Sequence, residues 1–446
     1  MKTYDAEARY VRENEGKALG GARHLAGVPL PNGFCFLVSR TDGAIIEPAF
    51  DFLCSGYLTI DPKPSLKRPK NTIDAIVADL ADFHHYLDSK SLKVSRLTKK
   101  ALKSYALDLT TSKSAVTGKN LSKATVARRW STLTKFIAHC LGRGFLKNNI
   151  PIVQRETKRG TCEVLDLEVN LEPLQQSGSL VTAVDPETLR GVLDELGPPI
   201  FDVVDLQIEL CAPSTTDRLM AEVAWNTGLR RTEVCNLRLN SILTLPRAGL
   251  DPLSKLSIVI VGKGKKSRSV PFPVWLIDAL ERYARITRAA AMELRLAAKG
   301  EPDHGYLFVH EVGNTRCLGD RISPQTFDRH FAVARRSYLE KISKWDNQVF
   351  YQLASAERIT VHALRHTFAI TAYILRRNAG DPYPSKHLAG ILGHASVETT
   401  EGIYLRSVEA FESKIRERVR LIHEQLPHMR LGAEPANAVL CRSRHV

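Results

Sequence analysis

Apolar residues recur every third or fourth position through two long stretches of this chain, 70–150 and 185–426. That spacing lines one face of an α-helix and cannot line one face of a strand, whose period is two. In the first stretch Ile73, Ile76, Val77, Leu80 and Phe83 follow a cap at Asn71 or Thr72, and Leu102, Tyr105, Ala106 and Leu109 follow Thr98. Ser122 caps a third helix, with Leu121 and Val126 placed for a hydrophobic staple and Val126, Trp130, Leu133, Ile137 and Leu141 as its buried face. The second stretch opens at Asp185-Pro186, a cap followed by proline at the first helical position. It is interrupted by one strand–turn–strand signal: Leu256–Val261, a turn at Gly262–Lys266, then Ser269–Phe272. The expectation is a mainly α fold with a small β-sheet.

Between and around these stretches the pattern changes. Residues 1–69 hold two short apolar runs, Phe34–Val38 and Ala44–Ile46, separated by Thr41-Asp42-Gly43, which predicts a hairpin. Asp61–Pro64 and Lys67–Lys70 then read as a basic linker. Residues 151–184 lack periodicity and read as an interdomain linker, and 427–446 as a tail. Five segments result: 1–69, 70–150, 151–184, 185–426 and 427–446.

Lys and Arg number 63 against 48 Asp and Glu, a formal charge of +15. An excess of this size favours a polyanionic partner, since each phosphate contact releases a condensed counterion. Lys123, Arg128, Arg129 and Lys135 on the third helix are candidates for such contacts, against the alternative of a solvated face. The 8 cysteines form no C-x-x-C pair, and the first residues lack a signal-peptide core. No run approaches the ~18 apolar residues of a membrane span. A reducing cytoplasm is the expected compartment.

Three segments carry chemistry. Thr227-Gly228-Leu229-Arg230-Arg231-Thr232-Glu233 breaks one helix and starts another. Val261–Arg268 is a basic, glycine-rich β-turn without P-loop spacing, a candidate for phosphate contact through Lys265, Lys266 and Arg268. Thr360 can cap a helix on which His362, Arg365, His366 and Ala369 share a face, while Val361, Leu364, Phe368, Ala372 and Leu375 form an apolar one. His362 and His366 stand at zinc-helix spacing, but Ala363 replaces the glutamate of a metalloprotease, and no metal or other cofactor is expected. Leu392-Gly393-His394 comes next, and Tyr404 stands ten residues after His394. Arginines, a lysine, histidines and a tyrosine, without a carboxylate pair, suit transfer at a phosphodiester. Guanidinium forks match the non-bridging oxygens and stabilise charge building at phosphorus. Lysine or histidine can move protons, and tyrosine can serve as the oxygen nucleophile.

The order Gly-Leu-Arg-x-x-Glu, Gly-Lys-Gly, His-x-Leu-Arg-His-Thr-Phe-Ala, Leu-Gly-His and Thr-Thr-x-x-Tyr resembles the tyrosine recombinases, or phage integrases. The likeness covers 185–426 as a catalytic domain, and 70–150 resembles the family's all-α core-binding domain. It implies that Arg230 and Arg365 bind the scissile phosphate and that Lys263 is the general acid for the 5′-oxygen. His362 would assist proton transfer, His394 would hydrogen-bond the phosphate, and Tyr404 would form the 3′-phosphotyrosyl. Glu233 would buttress Arg230. The gap from His394 to Tyr404 is one residue longer than the family's usual spacing, with Gly402 the extra residue.

The resemblance further implies a C-shaped clamp on double-stranded DNA at a specific recombination site. Four protomers would assemble there, and strands would be exchanged through a Holliday junction without ATP or metal. Accessory DNA-bending proteins are left open. Three rivals remain: a type IB topoisomerase-like enzyme, a catalytically silent sequence-specific DNA-binding protein, and a metal-dependent nuclease. A last amphipathic helix carries Val408, Phe411, Ile415, Val419 and Ile422 on one face. It packs on its own domain or, as the resemblance suggests, on a neighbouring protomer.

Overall fold

The computed structural model describes residues 6–10, 30–59, 65–113, 118, 120–157, 160–165, 183–204, 207–210, 214–262, 266–313, 316–344, 351–352, 354–355, 359–393, 407–413 and 415–416. The chain divides into two units, Met1–Gly178 and Ser179–Val446. It is mainly helical, and among the described residues its sheets are two-stranded antiparallel ladders.

In the first unit the caps act where the sequence puts them. The Thr98 side chain accepts from Ala101 N at 3.2 Å to start helix Lys99–Thr111, and Ser122 accepts from Thr125 N at 3.2 Å to start Lys123–Gly142. Helix Lys70–Ser89 instead begins behind Pro69, with no side-chain cap. The apolar stripes are buried as their periodicity requires, with Ile76, Trp130 and Leu141 partly so.

The first 69 residues pack more closely against the helices of this unit than their composition suggests. Strand Cys35–Ser39 pairs with Ala6–Tyr10, and of the expected hairpin with 44–46 only the bridge Val38↔Ile45 forms. The Asp42-Gly43 turn does close, with Gly43 N on Ser39 O at 2.9 Å. The chain then leaves the ladder because Glu47-Pro48 start a helix, Glu47–Tyr57. Phe50, Phe52 and Leu53 of that helix share one core with Phe83 and Phe136, the Phe52 and Phe136 rings 5.6 Å apart. Asp51, buried in the same place, receives His139 Nε2 at 2.7 Å and Arg143 Nε at 3.3 Å. Another hairpin, Ile152–Thr157 with Gly160–Leu165, forms where a linker is expected, and its Leu165 joins this core.

Helix Thr216–Thr227 is the hub of the second unit. It packs against helices Pro186–Asp194, Val274–Tyr283, Pro324–Ser343 and Val361–Asn378. Asp185 caps the first of these by accepting from Thr188 N at 2.9 Å, and Thr360 caps the last by accepting from Ala363 N at 3.3 Å. The expected hairpin spans Lys255–Val261 and Ser267–Pro273, and a further one, Phe201–Val204 with Gln207–Leu210, was not foreseen. Helix Val361–Asn378 is rotated from its expected setting: Arg365 and Ala369 are buried, whereas Leu375 is 64% exposed. Residues 407–413 are helical, and Val408 and Phe411 pack with Ile370, Tyr373, Leu388 and Leu392 of their own unit. Val419 and Ile422 lie outside the described residues. Among the described residues no helix is long and apolar enough to cross a membrane.

Candidate functional site

The site is built on a helix break. Thr227 ends the hub helix, and Gly228 follows at φ 66° with its N–H on Ala224 O. A Cβ at Gly228 would lie 2.4 Å from Phe368 Cδ1 and 2.9 Å from Leu392 Cδ2, so both the conformation and the space require glycine. Arg230 then starts the short helix Arg231–Cys235, and Glu233, one turn on, accepts from the Arg230 backbone N–H at 2.8 Å. The same carboxylate accepts from Arg230 Nη1 at 3.0 Å and from Arg268 Nη1 and Nη2 at 2.9 and 2.7 Å. Burial pushes the Glu233 carboxyl up, but the Arg268 hydrogen bonds, the Arg230 N–H and the Arg268 charge outweigh it, and its pKa falls below the usual value.

Three arginines from three elements meet at the C-terminal end of helix Pro384–Leu392. Arg268 Nε donates to Ile391 O at 2.7 Å, Arg365 Nη2 to Leu392 O at 2.7 Å, and Arg230 Nη2 to Gly393 O at 3.1 Å. A helix leaves its last carbonyls without intrahelical partners and concentrates negative partial charge there, so cations are favoured at this end. Gly393, at φ 65°, ends the helix in the left-handed conformation and directs the chain onward to position 394. Arg365 also gives Nη1 to Gly228 O at 2.6 Å. Its burial is tolerated because carbonyl oxygens surround its guanidinium.

His362 lies one turn before Arg365, with its ring edge-on to His366 at 4.3 Å. Partial desolvation, then the charges of Arg365, Arg230 and Arg231, lower its pKa below the ordinary value. Its side chain remains open to water, so the charges are the part of that shift a bound anion would cancel. A cavity of about 530 Å³ adjoins it, lined among others by Arg230, Arg231, Asp328, Phe331, Arg335 and His362. Among the described residues no three His, Cys, Asp or Glu side chains are grouped to hold a metal ion.

Arg230, Glu233, His362 and Arg365 thus stand together, while Lys263, Lys265, His394 and Tyr404 lie outside the described residues. Lys266 is exposed, and Gly262 N donates to Lys266 O at 2.8 Å. Arg268, expected to face phosphate, points inward to Glu233 and Ile391. The signal for this was present in the sequence: Arg268, Val270 and Phe272 alternate onto one strand face, and the other two are core. In the first unit Lys123 and Lys135 are exposed. Arg128 pairs with Asp79 at 2.5 Å, and Arg129 with Asp82 at 2.6 Å. Sequence reasoning did not single out Asp328 or Arg335.

The family model described as Phage integrase family matches residues 202–410. The tyrosine recombinase XerC of Thermodesulfovibrio yellowstonii is 29% identical over 64% of this chain and 71% of its own length. The tyrosine recombinase XerA of Thermococcus onnurineus is 28% identical over 65% of this chain and 81% of its own. Residues 202–410 of the chain carry a domain of the phage integrase family, that of the tyrosine recombinases. Among solved structures, the XerH site-specific recombinase bound to a palindromic difH substrate is 20% identical with a TM-score of 0.46, covering 79% of this chain and 80% of XerH. The integrase-family span 202–410 encloses Arg230, Glu233, Lys263, His362, Arg365, His394 and Tyr404.

Proposed function

We propose that this chain cleaves and rejoins double-stranded DNA at a specific site through a 3′-phosphotyrosyl intermediate. The observation that carries the reading is the pair of guanidiniums, Arg230 and Arg365, fixed on the adjacent carbonyls of Gly393 and Leu392 immediately before His394. Donors held this way need no reorganisation when charge develops on a phosphoryl group, which is how such sites accelerate transfer. Tyr404 Oη attacks phosphorus and the P–O5′ bond breaks, the tyrosine's proton passing to His362 and Lys263 giving its own to the leaving oxygen. His394 hydrogen-bonds a non-bridging oxygen. Attack by the 5′-hydroxyl of a second strand reverses the step, releases Tyr404 and exchanges strands through a Holliday junction, four protomers acting together. Lys123, Lys135, Lys265 and Lys266 contact the DNA backbone, with Arg128 and Arg129 contributing where they can leave their carboxylates. No metal or ATP enters the step, since the phosphotyrosyl retains the bond energy.

The test is incubation with DNA from the flanking sequence and detection of a covalent adduct on a denaturing gel. Wild type should form the adduct in EDTA, and Tyr404→Phe should bind DNA but form none. An undiminished adduct from Tyr404→Phe would place the nucleophile elsewhere, and strict dependence on a divalent ion would favour a nuclease. Relaxation of supercoils without exchange between two sites would instead favour a topoisomerase-like enzyme.

A further inference from the structure

The cavity beside Arg230 and His362 carries more positive charge than the chemistry proposed above uses. Arg231 and Arg335 line it in addition to Arg230, and Asp328, the one carboxylate lining it among the described residues, is paired with Arg231. The Nε of Arg335 is shut off from solvent and meets no acceptor among the described residues. A buried donor left this way is satisfied only if the guanidinium turns, and the adjoining cavity is where a phosphate oxygen would meet it. Helix Val361–Asn378 begins at the same wall, at Thr360, Val361 and His362, so the positive end of its dipole adds to the field. Phe331 and Ile359 supply an apolar side.

We infer that this cavity holds a second phosphodiester of the bound strand, next to the one gripped by Arg230 and Arg365, with Arg335 and Arg231 as its binding residues. The inference rests on the recombinase reading, because a strand that presents one phosphate to Arg230 carries another one nucleotide away. At about 530 Å³ the space exceeds a single phosphate group and admits a sugar–phosphate unit, its deoxyribose against Phe331 and Ile359. Asp328 is then a placeholder: it holds the half-exposed Arg231 until phosphate takes its place, and it opposes binding throughout.

The experiment measures affinity for a short fluorescent duplex over a series of NaCl concentrations, in the full chain carrying Tyr404→Phe so that no cleavage intervenes. Arg335→Gln should weaken binding about tenfold and reduce the log–log salt slope by about one unit. Arg335→Lys should restore the slope but not the full affinity, since it keeps the charge and loses the fork. Asp328→Asn should tighten binding severalfold, a gain that a variant damaged in folding would not give. An unchanged slope in Arg335→Gln, or weaker binding by Asp328→Asn, would overturn the inference. If the parent does not bind the duplex at all, the recombinase reading falls and this falls with it. If it binds while the unmutated chain forms no phosphotyrosyl, the chemical reading fails alone and the salt slopes still judge the cavity.

Discussion

Replacing Glu233 with glutamine removes a single charge from the point where the arginine cluster is tied together. The carboxylate receives four contacts, from Arg230 N and Nη1 and from both Arg268 terminal nitrogens, between 2.7 and 3.0 Å. Its side chain is 5% exposed and that of Arg268 is 10% exposed. Breaking a buried pair by removing one partner costs about 3–5 kcal/mol. Water can reach Arg230, whose side chain is 30% exposed, and this places the loss near the lower end, ~3 kcal/mol. For a unit this large roughly 2 °C accompanies each kcal/mol, so calorimetry at neutral pH should show a drop of about 6 °C in the second unit's transition. The pH dependence adds a check. Because the folded pKa of Glu233 is depressed, its contribution is present above the ordinary carboxylate value and is lost as pH falls through the lowered one. The gap between wild type and Glu233→Gln should therefore close on the acid side, where protonated Glu233 resembles glutamine. A shift under about 1 °C, or a gap constant into acid, would refute the argument that this carboxylate holds the cluster.

Two further predictions test other parts of the structure. Gly228→Ala forces a left-handed alanine and drives its Cβ to 2.4 Å from Phe368, together about 2–5 kcal/mol. The denaturant midpoint should fall accordingly, and adduct formation should fall further because Gly228 O holds Arg365; an unchanged midpoint would contradict both. His84 is buried between Phe83 and Phe136, and burial lowers its pKa to about 4. The unfolded chain therefore takes up this proton first as pH falls, and up to ~3 kcal/mol is lost between about pH 6.5 and 4. His84→Phe should remove that loss from a urea titration repeated across the range, and an acid slope equal to wild type would argue against it.

Local chemistry was the legible part of this fold. Thr98, Ser122, Asp185 and Thr360 cap their helices because a side chain three residues before an N–H needs nothing distant to act. Pairing of Ala6–Tyr10 with Cys35–Ser39 was not legible, since the two strands are joined by residues that carry no pairing signal. The Pro- and Lys-rich stretch after Asp61 suggested a boundary, yet Phe50, Phe52 and Leu53 before it complete the core that Phe83 and Phe136 after it begin. At the site, order along the chain brought Arg230, Glu233, His362 and Arg365 together on paper. Treating arginine as a surface residue misplaced the helix face around Arg365, because the carbonyls of Gly228 and Leu392 that accept its charge lie far away in sequence. Arg268 was misjudged although it shares a strand face with the core residues Val270 and Phe272.

The three acceptors at Ile391, Leu392 and Gly393 belong to the main chain, and so no side-chain identity at those positions encodes them. An alanine scan across these positions would report the packing of Leu392 and the left-handed turn at Gly393 rather than the carbonyl contacts that aim the arginines. Relatives could vary the letters there while keeping the same aim, provided a residue able to turn left-handed closes the helix. What evolution must conserve in this corner is a place where a helix stops, and the chemistry takes its direction from that stop.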